Sequence, residues 1–156
     1  MIRRFALFAT LFALLTACGS GPVRRVSEPA ASIQQLTVRA DGRWDVQLRL
    51  NNFSSVAMRF GSARLEIALD GTPAAKVDAN MGLEVGPESA DVFTTTVSPL
   101  PEGRARIATV LADGRGVDYR LTGSLQAGPL DAGQRDYPIK RDSALSPVPG
   151  LPGVLR

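Results

Sequence analysis

Few residues in this chain could do chemistry. It has one cysteine, Cys18, and no histidine. Without histidine and without a second thiol, neither Ser-His-Asp nor Cys-His catalysis can be assembled, and the common zinc and copper ligand sets are excluded as well. We therefore expect no catalytic residues, no bound metal and no cofactor.

Carboxylates remain as candidate acid–base groups, but none is paired at a spacing that forces two of them together. Acid–base chemistry needs such groups placed in one site. A serine with Lys76 or Lys140 as its base is the other possibility, yet no Ser-x-x-Lys motif occurs. The sequence thus favours a protein that is not an enzyme, with a hydrolase as the weakest alternative. The carboxylates weighed are Glu66, Asp70, Glu84, Glu88 and Asp91.

The residues before Cys18 have the pattern of a secretory signal. Arg3 and Arg4 precede thirteen residues, 5–17, whose only polar members are threonines. As a helix with about 1.5 Å per residue, this run would be about 20 Å long, short of the roughly 30 Å hydrocarbon layer of a membrane. We predict a signal-peptide helix over residues 1–17 that is cleaved.

The stretch Leu15-Thr16-Ala17-Cys18 resembles the lipobox of bacterial lipoproteins. In that motif the cysteine is acylated, for instance with palmitate, and becomes the first residue of the mature protein. Gly19 stands where lipoproteins of the inner membrane tend to have aspartate, which favours the outer membrane, facing the periplasm. Several acyl chains would make attachment effectively permanent. The resemblance implies that Cys18 is a lipid anchor, and a signal cleaved elsewhere is the alternative.

Charge gives no reason to expect a nucleic-acid partner. Arg3 and Arg4 are two of the 18 basic residues, so 16 basic residues face 15 acidic ones after cleavage. Residues 18–32 have no apolar periodicity and are predicted to form a flexible linker from the anchor. In that linker, Arg24 and Arg25 could contact anionic lipid, or could simply keep it soluble.

Beyond residue 32, apolar and polar residues alternate as they do in half-buried strands. The clearest case starts at Trp44, which we expect at the centre of the core. We predict an all-β domain over residues 33–126, a seven-stranded antiparallel sandwich of the immunoglobulin or fibronectin III type, and no helix. The predicted strands are residues 33–38, 44–51, 64–70, 74–79, 91–97, 105–111 and 117–125.

Three Asp-Gly dipeptides, Asp41-Gly42, Asp70-Gly71 and Asp113-Gly114, are each expected to join two neighbouring antiparallel strands. Residues 127–156 contain five prolines, more than a sheet interior accommodates, because proline lacks the N–H that the ladder needs. We therefore predict a Pro/Gly-rich tail there, with Tyr137-Pro138-Ile139 as a short edge segment. Its last dozen residues are expected to be mobile or to bind a partner.

Residues 33–125 resemble the type 2 late embryogenesis abundant family, also called the water stress and hypersensitive response domain. The resembling features are a hydrophobic strand ending at Asn51, the run SARLEIALDGTPAAKV and the segment VGPESADVFTTTV. The family commonly has Asn-Pro-Asn where this chain has Asn51-Asn52-Phe53. Asn51 and Asn52 are expected to cap their loop through side-chain to backbone hydrogen bonds, and a ligand site is the alternative.

The resemblance implies a protective or binding role in stress, including desiccation, without known catalytic residues. We expect a lipid-anchored envelope protein that binds or shields envelope components through a strand edge or the C-terminal tail. Its expected partners are the membrane and other envelope proteins, with no nucleic acid and no small-molecule substrate. A structural or assembly component of an envelope transport machine is the alternative.

Overall fold

The computed structural model describes residues 24–156, so Cys18 and the predicted signal peptide lie outside the described residues. In chain order the elements of the described residues are β1 (Ala30–Val38), β2 (Trp44–Asn52), β3 (Met58–Leu69), β4 (Thr72–Val85), β5 (Ser89–Val97), α1 (Pro101–Asp113), β6 (Val117–Pro129), β7 (Arg135–Leu145) and β8 (Val154–Leu155). The strands form two antiparallel sheets, with strand orders β5-β2-β1-β8 and β4-β3-β6-β7.

The all-β sandwich predicted from the alternating pattern is confirmed, with eight strands rather than seven. In β2, the residues at Trp44, Val46, Leu48 and Leu50 are buried and those between them are not, because successive strand side chains point to opposite faces. The core lies between the sheets, and Trp44 is fully buried in it. The other largest fully buried side chains are Phe60, Leu36, Leu48, Leu50, Met58, Leu65, Ile67, Leu69, Ile107, Leu121 and Leu125.

Residues 105–111 are helical, so the prediction of a strand there, and of a domain without a helix, was wrong. The buried residues Gly103, Ile107 and Val110 recur at the spacing of a helix face. Pro101 stands in the first turn, and Gly114 ends the helix in the left-handed conformation with φ of 63°. Asp113-Gly114 is therefore the end of α1 and not a hairpin turn.

The predicted C-terminal tail contains the strands β7 and β8, so the domain continues past residue 126. Strand β7 pairs with β6 along its whole length, from Val117↔Leu145 to Ala127↔Arg135. Because β7 is an edge strand, one of its sides has no ladder to break, and Pro138 is accommodated there. Tyr137-Pro138-Ile139 lies within this edge strand.

The two ends of the sandwich are closed differently. At one end α1 packs so closely on β4 that a Cβ on Gly103 would lie 2.5 Å from the Cα atom of Ala74. We call this the helix end, and it also holds the Asp41-Gly42 and Asp70-Gly71 turns, which join β1 to β2 and β3 to β4 as predicted. At the opposite end, residues 24–29 lie against the β2–β3 loop. We call residues 24–29 the strap and this end the strap end.

Candidate functional site

The strap is fixed to the β2–β3 loop by backbone hydrogen bonds from both partners. The amide of Arg25 donates to the Ser55 hydroxyl at 2.8 Å, and the amide of Ser55 donates back to the Arg25 carbonyl at 3.0 Å. Two residues on, the amide of Ser27 donates to the Ser54 hydroxyl at 3.0 Å. The second half of the predicted flexible linker is therefore part of the folded domain from Arg24 onward.

Two arginine side chains strengthen this attachment. Arg24 forms a bidentate pair with Asp131 in the β6–β7 turn, with N–O distances of 2.5 and 2.6 Å. The hydrogen bonds of this pair lower the pKa of Asp131 and raise the pKa of Arg24. Arg25 donates to the Phe53 carbonyl at 3.0 Å and to Glu88 at 2.8 Å. Both guanidinium groups, which could have been free to contact lipid, are thus paired with carboxylates of the domain.

Asn52 holds the β2–β3 loop from inside. It is fully buried, and its amide nitrogen donates to the carbonyl oxygens of Val56, Val85 and Gly86 at 2.8, 3.1 and 2.8 Å. Its side-chain oxygen accepts the Ser54 amide at 2.9 Å. All hydrogen-bonding groups of Asn52 are therefore directed at the backbone, which is the loop-capping geometry and leaves no donor for a ligand.

Asn51 is placed differently from Asn52. It is the half-buried penultimate residue of β2, opposite Ala90 of β5 and Ala30 of β1 in the ladder. Among the described residues every buried side-chain polar atom has a hydrogen-bond partner.

Three large apolar side chains are exposed at the strap end. They are Val26 of the strap, Phe53 of the β2–β3 loop and Leu130 of the β6–β7 turn, with exposed fractions of 39%, 51% and 46%. The strap links the segments that carry them, because Arg25 bonds the Phe53 carbonyl and Arg24 bonds Asp131, the neighbour of Leu130. Two others, Leu100 and Leu151, are exposed near the helix end. Sequence reasoning missed this surface, although an aromatic residue in a polar loop was a signal for it.

The five candidate carboxylates do not converge. Within residues 24–156, no three His, Cys, Asp or Glu side chains are grouped as metal ligands. Four of the five are paired with a cation from a neighbouring element, and Asp91 accepts the amide of the next residue at 2.7 Å. The pairs are Lys76–Glu66 at 3.2 Å, Arg25–Glu88 at 2.8 Å, Arg106–Asp70 and Arg59–Glu84.

An open cleft of about 590 Å³ lies beside Asp70 at the helix end. Arg106 of α1 donates to the Asp70 carboxylate, with its Nε at 2.7 Å, and the Asp118 amide donates to it at 3.1 Å. These hydrogen bonds, that of Arg106 first, lower the pKa of Asp70. On the other wall, Arg120 donates to Asp142 at 2.6 Å. Two of the carboxylates lining the cleft, Asp70 and Asp142, thus serve as acceptors that fix α1 and β7.

The first Asp-Gly turn is held by its own side chain. Asp41 accepts the backbone amide of Arg43 at 3.0 Å and the guanidinium of the same residue at 2.9 Å. The side-chain hydrogen bond from Arg43 is the main reason that the pKa of Asp41 is lowered.

Among the described residues, no helix is long and apolar enough to cross a membrane.

A family model for late embryogenesis abundant proteins, LEA_2, matches residues 47–143 of the chain. The chain belongs to the LEA_2 family. The match begins in β2 and ends in β7, so the LEA_2 domain includes seventeen residues of the predicted tail, 127–143. No curated protein matches the chain.

The solved structures similar to this LEA_2 domain have low sequence identity to it. A solution structure of an Arabidopsis thaliana protein has a TM-score of 0.50 and 12% identity, and the match covers 80% of this chain and 81% of that one. A crystal structure of an Archaeoglobus fulgidus protein has a TM-score of 0.44 and 16% identity, with 80% and 98% covered. At 12% identity the likeness to the Arabidopsis structure is one of fold, and function has to be argued from the site.

Proposed function

We propose that the chain is a bacterial lipoprotein, anchored through acyl chains on Cys18, whose LEA_2 domain binds or shields components of the cell envelope under desiccation and other envelope stress. It acts without catalysis, in the outer membrane and facing the periplasm. The observation that carries this proposal is the strap. Its hydrogen bonds make Arg24, six residues after Cys18, part of the folded domain. A domain held this close to an acylated residue works at the membrane surface.

The free edge of β5 supports a binding role. Of the four edge strands, β4 and β7 each contain a proline, Pro73 and Pro138, and β8 has two residues. Strand β5 is nine residues long, without proline, lysine or arginine, and pairs with β2 alone. A long edge without these blocking residues can accept an extended segment of a partner protein.

The test is survival of a deletion strain after drying. We expect the deletion to lower survival, wild-type protein to restore it, and Cys18→Ser, which removes the acylated sulfur, to fail. Thr94→Lys adds a charge to an exposed position of β5 and is expected to restore survival poorly. Its matched control is Ser143→Lys on the β7 edge, which already carries Lys140 and Arg141.

The same strains distinguish the alternative, an assembly component of an envelope transport machine. Survival equal to that of the wild type, together with a permeability or assembly defect, would favour the machine component and contradict a protective role. Restoration of survival by Cys18→Ser would show that the anchor is not required for protection.

A further inference from the structure

We infer that the strap end of the domain contacts the lipid bilayer itself, with Phe53 and Leu130 reaching into the interfacial region beside the anchor. This inference rests on the proposed acylation of Cys18 for its role in the cell. It goes beyond anchoring, because it assigns an orientation and a lipid-binding surface to the folded domain.

Chain length limits how far the strap end can be from the bilayer. Arg24 is six positions after Cys18, and an extended chain covers at most about 3.6 Å per residue, or about 20 Å in total. The nine residues of β2 run from the helix end to the strap end, a length of about 30 Å at 3.3 Å per residue. The chain between Cys18 and Arg24 is therefore shorter than the distance between the two ends of the domain. The helix end cannot lie on the membrane unless the hydrogen bonds of the strap break.

The hydrogen bonds of the strap remove the freedom that a flexible tether would have. Arg24 is bound to the β6–β7 turn and Arg25 to the β2–β3 loop. These are the segments that carry Leu130 and Phe53. The chain that leads to the anchor therefore leaves the domain beside the segments with the two most exposed apolar side chains of this end. Single exposed apolar residues are ordinary, but those on the segments that hold the strap, next to a membrane anchor, have a bilayer within reach.

The charges at this end favour zwitterionic over anionic lipid, because the two arginines of the strap are paired with carboxylates and Glu28 of the strap is exposed. Three ion pairs, Arg24–Asp131, Arg25–Glu88 and Arg59–Glu84, each match one cation with one carboxylate. Neutralised pairs give little attraction to anionic lipid. The contact therefore depends on the apolar side chains, and zwitterionic lipid is sufficient for it.

Quenching by brominated lipid tests the orientation independently of natural acylation. The mature chain, residues 18–156, contains every described contact and one thiol, which can be coupled to a maleimide lipid in phosphatidylcholine vesicles. Phe53→Trp and Leu130→Trp each place an indole at the strap end. The control, Leu151→Trp, has an equally exposed position near the helix end, 50% against 51% for Phe53. Buried Trp44 is the common background.

With phosphatidylcholine brominated on its acyl chains, the emission added by Phe53→Trp and Leu130→Trp should be largely lost. The emission of Leu151→Trp and of the unsubstituted chain should be unchanged. Equal quenching at residues 53 and 151, or none at residue 53, would overturn the inference. Circular dichroism of each variant shows whether it is folded, and a misfolded Phe53→Trp leaves Leu130→Trp to decide.

Two further outcomes separate this inference from its rivals. Light scattering of the uncoupled mature chain should give a monomer. A dimer that dissociates in Phe53→Ser would mean that this surface joins two copies of the chain, and the lipid assignment would fall. An unacylated Cys18 in cells would contradict the proposed function while the vesicle result still reports on the surface.

Discussion

The backbone amide of Ile33 donates a hydrogen bond of 3.1 Å to the hydroxyl of Tyr119 in the buried core. Ile33 belongs to β1 and Tyr119 to β6, so this bond joins the two sheets across the sandwich. A register shift between β1 and β2 lies directly after Ile33. The tyrosine therefore serves an amide at the point where the regular ladder is interrupted.

Tyr119→Phe should lower the free energy of unfolding by about 1–3 kcal/mol, because a buried amide loses its acceptor. Urea denaturation followed by circular dichroism measures this loss. The control is Tyr137→Phe, whose hydroxyl accepts from the exposed Arg135 at 2.7 Å. Arg135 can bond to water instead, so the control should lose less, and an equal loss in both variants would contradict a role for the bond between sheets.

Asn52→Ala should destabilise the domain by about 2 kcal/mol or more, because three backbone carbonyls lose a buried donor. Asn52→Asp, which keeps the side-chain volume but cannot donate while ionised, should be at least as harmful. The matched control is Asn51→Ala in the same strand, where half-burial predicts a smaller effect. Denaturation midpoints that are the same for Ala at 51 and 52 would disprove the capping role of Asn52.

Trp44→Ala should lower the free energy of unfolding by about 3–5 kcal/mol, because it empties the largest fully buried side-chain site. Trp44→Phe refills most of the space and should lose less. Thermal and urea denaturation followed by circular dichroism compare the two. A loss below about 1 kcal/mol for Trp44→Ala would show that the core is not centred on this residue.

Acid should weaken the attachment of α1 through Asp70. Hydrogen bonds, chiefly from Arg106, hold the pKa of Asp70 below its ordinary value in the folded state. Its contribution to stability is therefore present above the unfolded pKa of about 3.9 and is lost as the pH falls through the folded pKa.

Asp70→Asn retains a side chain that tolerates the positive φ of 46° at this turn, but it does not titrate. The difference in unfolding free energy between the wild type and Asp70→Asn should shrink between about pH 6 and about pH 3. Glu66→Gln is the control, because both members of its ion pair are well exposed and such pairs contribute little. An unchanged difference across this range would contradict the role assigned to Asp70.

The sandwich was predictable because each of its strands has one face in solvent and one in the core. In β2, β3 and β6 apolar and polar residues therefore alternate along the sequence. Helix α1 was misread because Ile107 and Leu111 fit both an alternating and a helical pattern over so short a run. The features that decide between them were Pro101 at its start and Gly114 at its end. Of strand β7, only Tyr137-Pro138-Ile139 was predicted, as a short edge segment, because the proline content of residues 127–156 argued against a longer strand.

The strap could not be derived from the sequence. Its contacts join residues far apart in the chain, such as Arg24 with Asp131 and Ser27 with Ser54. Sequence periodicity reports only local structure and does not reveal contacts of this kind. The strap is also short and polar, as a flexible linker would be. The capping role of Asn52 could be predicted, since asparagine commonly bonds to loop backbone. Its three carbonyl partners could not, because they lie in the β2–β3 loop and at the end of β4, which only the fold brings together.

The most direct test of an anchored LEA_2 domain is the mass of the N-terminal peptide of the protein purified from cell membranes. We predict a peptide that begins at Cys18, lacks residues 1–17 and carries acyl chains. A peptide with an unmodified Cys18, or with residues 1–17 still attached, would contradict the account.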